Sequence, residues 1–222
     1  MIHSDLLGVI FVYVYVSVLL LVTEKILSKK FPLASRKILH ILTGNIAFIL
    51  PLFETREIMA FVAAGPFILF TLLMSPYSPI KSMRGKTSQA GHGFGLVYYV
   101  IAWTVLAYLF FDDKVIIAIG ILAMSYGDGL ASLLGVRFGE RKYQVFADVK
   151  SFIGSVVMFV CTFLVVIIAL VFYQIPLDQR MVIVALCIAW VAALAEGITP
   201  LGLDNLSVPF ISAALYWLLV VM

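Results

Sequence analysis

Long apolar runs decide what this chain can become. A helix needs about 20 mostly apolar residues to cross the hydrocarbon core of a bilayer. Inside lipid the backbone must satisfy its own polar groups, which leaves helices or a closed barrel. Eight runs meet or approach that length, at roughly 6–23, 38–53, 58–76, 94–111, 115–136, 152–175, 181–199 and 205–222. The second and last are short, so seven spans is the alternative count. The first run has no basic leader and no small-residue cleavage site, and it reads as a span, not as a removed signal. Composition agrees. The chain is 64% hydrophobic and 12% charged, where soluble domains are about half apolar and about a quarter charged. The expected fold is an all-α polytopic membrane bundle of seven to eight helices. It forms a single transmembrane catalytic domain over 1–222, with no room for a separate soluble one.

Basic residues orient the bundle. Loop 24–37 carries Lys25, Lys29, Lys30, Arg36 and Lys37. Loop 77–93 carries Lys81, Arg84 and Lys86, and loop 137–150 carries Arg137, Arg141, Lys142 and Lys150. Only Arg56, Lys114 and Arg180 lie in the intervening loops. By the positive-inside rule the rich side is cytoplasmic. The net charge of +3 therefore reflects topology and gives no ground for nucleic-acid binding. Cys161 and Cys187 fall within spans and read as packing residues.

Polar residues gather toward the same face. In "GDGLASLLGVRFGERKY" (127–143) an aspartate, Asp128, sits in a membrane span between Gly127 and Gly129. Ionisable groups at membrane depth are costly and mark functional sites by default. The two glycines can break or widen the helix, which is tolerated where backbone lines a wet cavity. The alternative is a structural Asp paired with one lysine. In "DVKSFIGS" (148–155), Lys150 and Ser151 open the sixth span, where free N–H groups and the helix dipole favour an anion. Gly154 permits close approach. Equally, this is a snorkelling lysine with a serine cap.

"EGITPLGLDNLSVP" (196–209) offers Glu196, Asp204 and Asn205, either from a re-entrant loop or from an ordinary connection with an Asp-Asn turn. "SRKILH" (35–40) sets Arg36 and His40 four residues apart, and Lys37 and His40 three apart. These are phosphate ligands or interfacial anchors. "RGKTSQAGHG" (84–93) is no P-loop, because Ile80 stands where the first glycine is needed. A flexible loop gating the site is the remaining reading. Three acids (Asp128, Glu196, Asp204) and the bases Lys37, Arg141, Lys142 and Lys150 thus approach one depth. Oxygen ligands for Mg²⁺ beside cations for phosphate suit a metal-bound polyphosphate.

These motifs together resemble one family. Gly127-Asp128 with Ala131 and Gly139, then Lys150-Ser151 with Gly154-Ser155, then Glu196 with Asp204-Asn205 and Pro209, look like the integral-membrane polyprenol kinases, which include dolichol, phytol and farnesol kinases. "RKILH" also fits, and "KSFIGS" and "GLDNLSVP" look closest to the phytol and farnesol branch. Ser132 stands where relatives often carry an acid, and Leu203 where some carry a second aspartate.

The resemblance implies a lipid-alcohol kinase that moves the terminal phosphate of CTP, or another nucleoside triphosphate, to an isoprenoid alcohol. The alcohol's chain is expected to stay in lipid, reaching the site through a lateral opening. On this reading Asp128 and Asp204 hold the metal with Asn205 assisting. Lys150, Ser151, Arg141, Lys142, Arg36, Lys37 and the glycines 127, 129 and 154 receive the phosphates. Glu196 orients or deprotonates the alcohol near His40, and its role is exchangeable with that of Asp128. Two other readings stand beside it. One is a CTP-dependent cytidylyltransferase acting on a lipid phosphate. The other is a small cation- or proton-coupled transporter with Asp128 and Glu196 as relay.

Overall fold

Helices account for nearly all of the regular structure. A computed structural model of the chain describes residues 2–89 and 93–222. Ala90–His92, within the expected gating loop 84–93, lie outside the described residues. The helices are α1 (Ile2–Lys25), α2 (Pro32–Thr43), α3 (Pro66–Met74), α4 (Lys86–Gln89), α5 (Gly95–Leu109), α6 (Lys114–Leu122), α7 (Gly129–Phe138), α8 (Phe152–Phe172), α9 (Gln179–Ile198) and α10 (Asp204–Tyr216). A wide π-helical segment, Ile58–Ala64, leads into α3. A second, Ala123–Asp128, joins α6 to α7 as one rod.

Among the described residues five helices are long and apolar enough to cross a membrane: His3–Lys29, Lys114–Phe138, Phe152–Phe172, Gln179–Ile198 and Asp204–Val221. Ile58–Met74 and Gly95–Leu109 are shorter apolar helices. Seven of the eight expected runs are therefore single helices.

The exception is the second. Its helix starts earlier than expected, at Pro32, and ends at Thr43. Short 3₁₀ turns, Gly44–Phe48 and Leu50–Leu52, carry the chain onward. Gly44 packs directly on Ser125, and a Cβ there would lie 2.5 Å from the Ser125 Cβ. Twelve α-helical residues rise about 18 Å, which is short of the roughly 30 Å core.

The rod Lys114–Phe138 is the centre of the bundle. Ile116, Ile117, Ile119, Ile121 and Leu122 are fully buried. Such all-round apolarity fits a helix surrounded by others. α8 and α10 flank it, and α9 packs on both. On the lipid-facing sides, Phe11, Val14, Leu164, Trp190 and Leu218 are exposed, as the absence of a hydrophobic penalty in lipid allows.

Two connections differ from the expected pattern. The stretch after α7 is a β-hairpin, β1 (Lys142–Val145) antiparallel to β2 (Asp148–Ser151), with Tyr143 opposite Lys150 and Val145 opposite Asp148. Phe146 makes its turn with φ of 52°. The stretch after α9 is a tight turn and not a re-entrant loop. Glu196 lies on α9 itself, Leu201 and Gly202 turn with positive φ, and α10 begins at Asp204.

Candidate active site

The π-helical segment Ala123–Asp128 ends on the aspartate that the sequence singled out. Such widened turns recur at functional sites. Contacts on both sides hold this one. A Cβ on Gly127 would strike Thr162 and Met158 of α8, and one on Gly129 would strike Ile41 of α2. Both glycines thus sit at helix crossings and not on the cavity wall. They let α2 and α8 close around the rod, which leaves the buried Asp128 facing a polar cavity.

Four elements bring the other acids and bases to that point. Carboxylate oxygens of Asp128, Glu196 and Asp204 lie within 4.8 Å of one another. Lys37 of α2 donates to Asp128 Oδ2 at 2.9 Å. Lys150 of β2 donates to Glu196 Oε1 at 2.7 Å and to the Glu196 backbone carbonyl, and its Nζ lies 3.7 Å from Asp204 Oδ2. Burial pulls on the Lys150 ammonium, but Glu196 and Asp204 outweigh it and hold the group above the usual lysine range.

Arg36 stands close enough to feel both Asp128 and Asp204. Its guanidinium lies directly over Gly95, at the start of α5, where any side chain would displace it. His40 sits behind Asp128. Its Nε2 is 3.1 Å from the Met124 carbonyl and 3.5 Å from Asp128 Oδ2. The Tyr99 ring packs edge-on against His40 at 4.5 Å, and its hydroxyl pairs with Ser125 at 2.9 Å.

The cavity measures about 1140 Å³ including its open mouth. Arg36, Lys37, Asp128, Lys142, Lys150, Ser151, Gly154, Glu196, Asp204 and Asn205 all line it. Arg141 does not; it is exposed, just ahead of the hairpin. Ser151 lines the wall, but its hydroxyl is occupied. It caps α8 by accepting from the Gly154 N–H at 3.1 Å and lies 3.3 Å from the Gly135 carbonyl. Gly154 in turn packs near Ala131 and Gly135 of α7.

The hairpin is tied down by Asp148, whose Oδ2 accepts from the Leu201 N–H at 2.6 Å. Gly95, Tyr99, Ser125 and Asp148 support this cluster without any sequence motif that marks them. Each acts through a contact distant in sequence, which no local pattern signals.

A hard divalent cation fits the donor set. The converging atoms are all carboxylate oxygens, the ligands Mg²⁺ prefers. Beside them the buried Asn205 Oδ1 has no hydrogen-bond partner among the described residues, while its Nδ2 donates to Gly202 O and Asp204 Oδ1. An orphaned buried acceptor at a cavity wall is one that a ligand would satisfy. Glu196 thus stands in one acidic cluster with Asp128 and Asp204, two of the three residues expected to hold a metal.

No family model and no solved structure matches the chain. Sequence relatives do. A phytol kinase of Synechocystis sp. is 34% identical over 185 residues, covering 82% of this chain and 78% of that one. A probable chloroplastic phytol kinase of Triticum aestivum is 32% identical over 204 residues, covering 83% and 67%. Phytol kinase 1, chloroplastic, of Arabidopsis thaliana is 33% identical over 195 residues; the chain spans 62% of its length. The Synechocystis match runs through most of both chains, and on that ground the chain belongs to the phytol kinase family.

Proposed function

We propose that this protein is a single-domain lipid-alcohol kinase that transfers the terminal phosphate of CTP, or of another nucleoside triphosphate, to an isoprenoid alcohol. Phytol is the first candidate, because the relatives are named for it. Farnesol and geranylgeraniol are the chemical neighbours. The observation that carries the reading is the three-acid cluster clamped by Lys37 and Lys150. The reaction would run at the cytoplasmic face, the side of the basic loops.

Three carboxylates balance Arg36, Lys37 and Lys150 in formal charge, so a metal–nucleotide complex enters a site of no net repulsion. Asp128 and Asp204, with Asn205 Oδ1 and Glu196 beside them, are the residues that would hold Mg²⁺. Bound there, the ion supplies charge neutralisation across the phosphate oxygens.

Lys37, Lys142 and Lys150 reach the same cavity and would turn from the carboxylates toward phosphate. Glu196 would orient the alcohol or take its proton, with Asp128 able to exchange that role. Catalysis is then positioning plus electrostatics, as phosphoryl transfer requires.

The test is a panel of phytol, farnesol, geranylgeraniol and dolichol with labelled CTP and ATP and purified protein. The expected products are the alcohol monophosphate and a nucleoside diphosphate. Asp128→Asn and Lys150→Ala should each lower kcat about 100-fold or more, the scale for losing a preorganised charged group. Release of pyrophosphate would mean a nucleotidyl transferase instead. Full activity in both variants would overturn the site.

A further inference from the structure

A second space runs beside the acidic cavity. α1, α2, the Ile58–Met74 helix and α5 enclose a groove of about 810 Å³ including its mouth. Among the described residues no Asp, Glu, Lys or Arg side chain lines it. One face of the Ile58–Met74 helix forms a wall from Met74 to Met59, a rise of about 22 Å at 1.5 Å per residue. At the far end stands Phe53, fully buried, with its ring against Gly8.

One residue of the groove stands against the acidic cavity. His40 lines the apolar groove while its Nε2 lies 3.5 Å from Asp128 Oδ2. The groove therefore has a single charged end, and that end is the acid cluster.

A void of this shape forfeits dispersion contacts along all its walls. Inside a bilayer an apolar chain is the occupant that restores them without desolvating anything. The groove's length suits an extended diterpenoid chain, and its polar end suits one hydroxyl.

We propose that this groove takes up the isoprenoid chain of the substrate alcohol. The hydroxyl sits at His40 beside Asp128, and the tail runs toward Phe53. The inference rests on the lipid-alcohol kinase reading and goes further, because it draws the chain into the protein instead of leaving it in lipid. Phe53 then limits chain length. The competing location is the open face between α8 and α9 lined by Phe159 and Trp190, which meets the acidic cavity at Ser155.

The three tryptophans separate the two locations. Trp103 lines the groove, Trp190 lines the α8–α9 face, and Trp217 lies at the end of α10. Trp190→Phe/Trp217→Phe leaves Trp103 as the sole tryptophan, and Trp103→Phe/Trp217→Phe leaves Trp190, each excited at the red edge where tyrosine does not absorb. Each full-length protein in nanodiscs is titrated with an octadecanol dibrominated at mid-chain, a contact quencher of indole. The expected result is saturable quenching of Trp103, reversed by excess phytol, with only weak, non-saturating quenching of Trp190.

Saturable quenching of Trp190 alone would overturn the groove in favour of the α8–α9 face. Phytol phosphorylation without any saturable Trp103 quenching would overturn it while leaving the kinase reading intact. Saturable Trp103 quenching without phosphorylation of any alcohol would keep the groove and overturn the kinase. As a second measure, Ala63→Leu narrows the groove midway. It should lower kcat/KM for phytol more than for farnesol and leave the KM for the nucleotide unchanged; an unaltered phytol-to-farnesol ratio would overturn the proposal.

Discussion

Lys37 Nζ donates to Asp128 Oδ2 at 2.9 Å across 91 positions of sequence, joining α2 to the π-helical turn of the central rod. Both side chains are largely withdrawn from solvent, at 17% and 5% exposure. Removing one member of a buried ion pair leaves the other charge uncompensated, at a cost of about 3–5 kcal/mol. Lys37→Met should therefore lower the melting temperature more than Lys37→Met/Asp128→Asn does, although both abolish turnover. Thermal unfolding of the four proteins of this cycle measures the difference; equal losses in the single and double variants would show the pair to be uncoupled.

Lys150 yields a pH prediction. Its ammonium is held above the ordinary lysine value by Glu196 and Asp204 despite burial. A group whose pKa is raised on folding contributes its full stability below the unfolded value, about 10.4. That contribution fades as pH rises through the higher folded value. The stability gap between wild type and Lys150→Met should therefore stay constant at mildly alkaline pH and close only above about pH 10. Melting temperatures of both proteins across that range test it, and a gap that closes before about pH 10 as the pH is raised from mildly alkaline would refute the pairing.

Gly95 has no side chain, and its importance lies in that. The Arg36 guanidinium occupies the space a Cβ would need, and Asn205 Nδ2 lies 3.3 Å from the same point. Gly95→Ala should displace Arg36 from its place near Asp128 and Asp204 and raise the nucleotide KM several-fold. A steric push of this kind on a buried guanidinium falls within the range of about 1–3 kcal/mol typical of overpacking. Steady-state kinetics with varied nucleotide at saturating alcohol read the effect. An unchanged KM would remove Arg36 from the nucleotide site.

The asymmetry between what was legible in the sequence and what was not has a physical origin. Asp128 and Glu196 stood out because a carboxylate in an apolar run carries a desolvation cost that something must offset. Lys150 stood out because it stands just ahead of an apolar run, although it lies on β2, two residues before α8 begins, and not on the helix itself. Gly44, Gly95, Gly127 and Gly129 were ambiguous or silent for the opposite reason. Their meaning is the neighbour pressed against them, and Ser125, Arg36, Met158 and Ile41 are all remote in sequence. The hairpin escaped notice because its strands have four residues each and carry charge, so no alternating apolar pattern long enough to read exists. The break after Thr43 lay hidden within a run of adequate hydropathy, since length alone cannot reveal a helix forced aside by packing.

Asp5, at the opposite end of the bundle, separates stability from chemistry. Its carboxylate accepts from the backbone N–H groups of Glu54 and Thr55, at 2.8 and 3.1 Å, and from the Thr55 hydroxyl at 2.7 Å. The side chain thus ties α1 to the turn before Ile58, and only 2% of the residue is exposed. Hydrogen bonds to a charged group are each worth about 1.5–3 kcal/mol, and unmaking them leaves buried donors unsatisfied. Asp5→Ala should therefore cost about 2–4 kcal/mol of stability, because the shared acceptor is lost in one step. No part of this contact lines the acidic cavity, so at temperatures where the variant stays folded its nucleotide KM should equal that of wild type. A melting curve paired with kinetics at low temperature provides the check. A large KM change in a fully folded Asp5→Ala protein would mean that α1 transmits strain to the site through the groove it helps to wall.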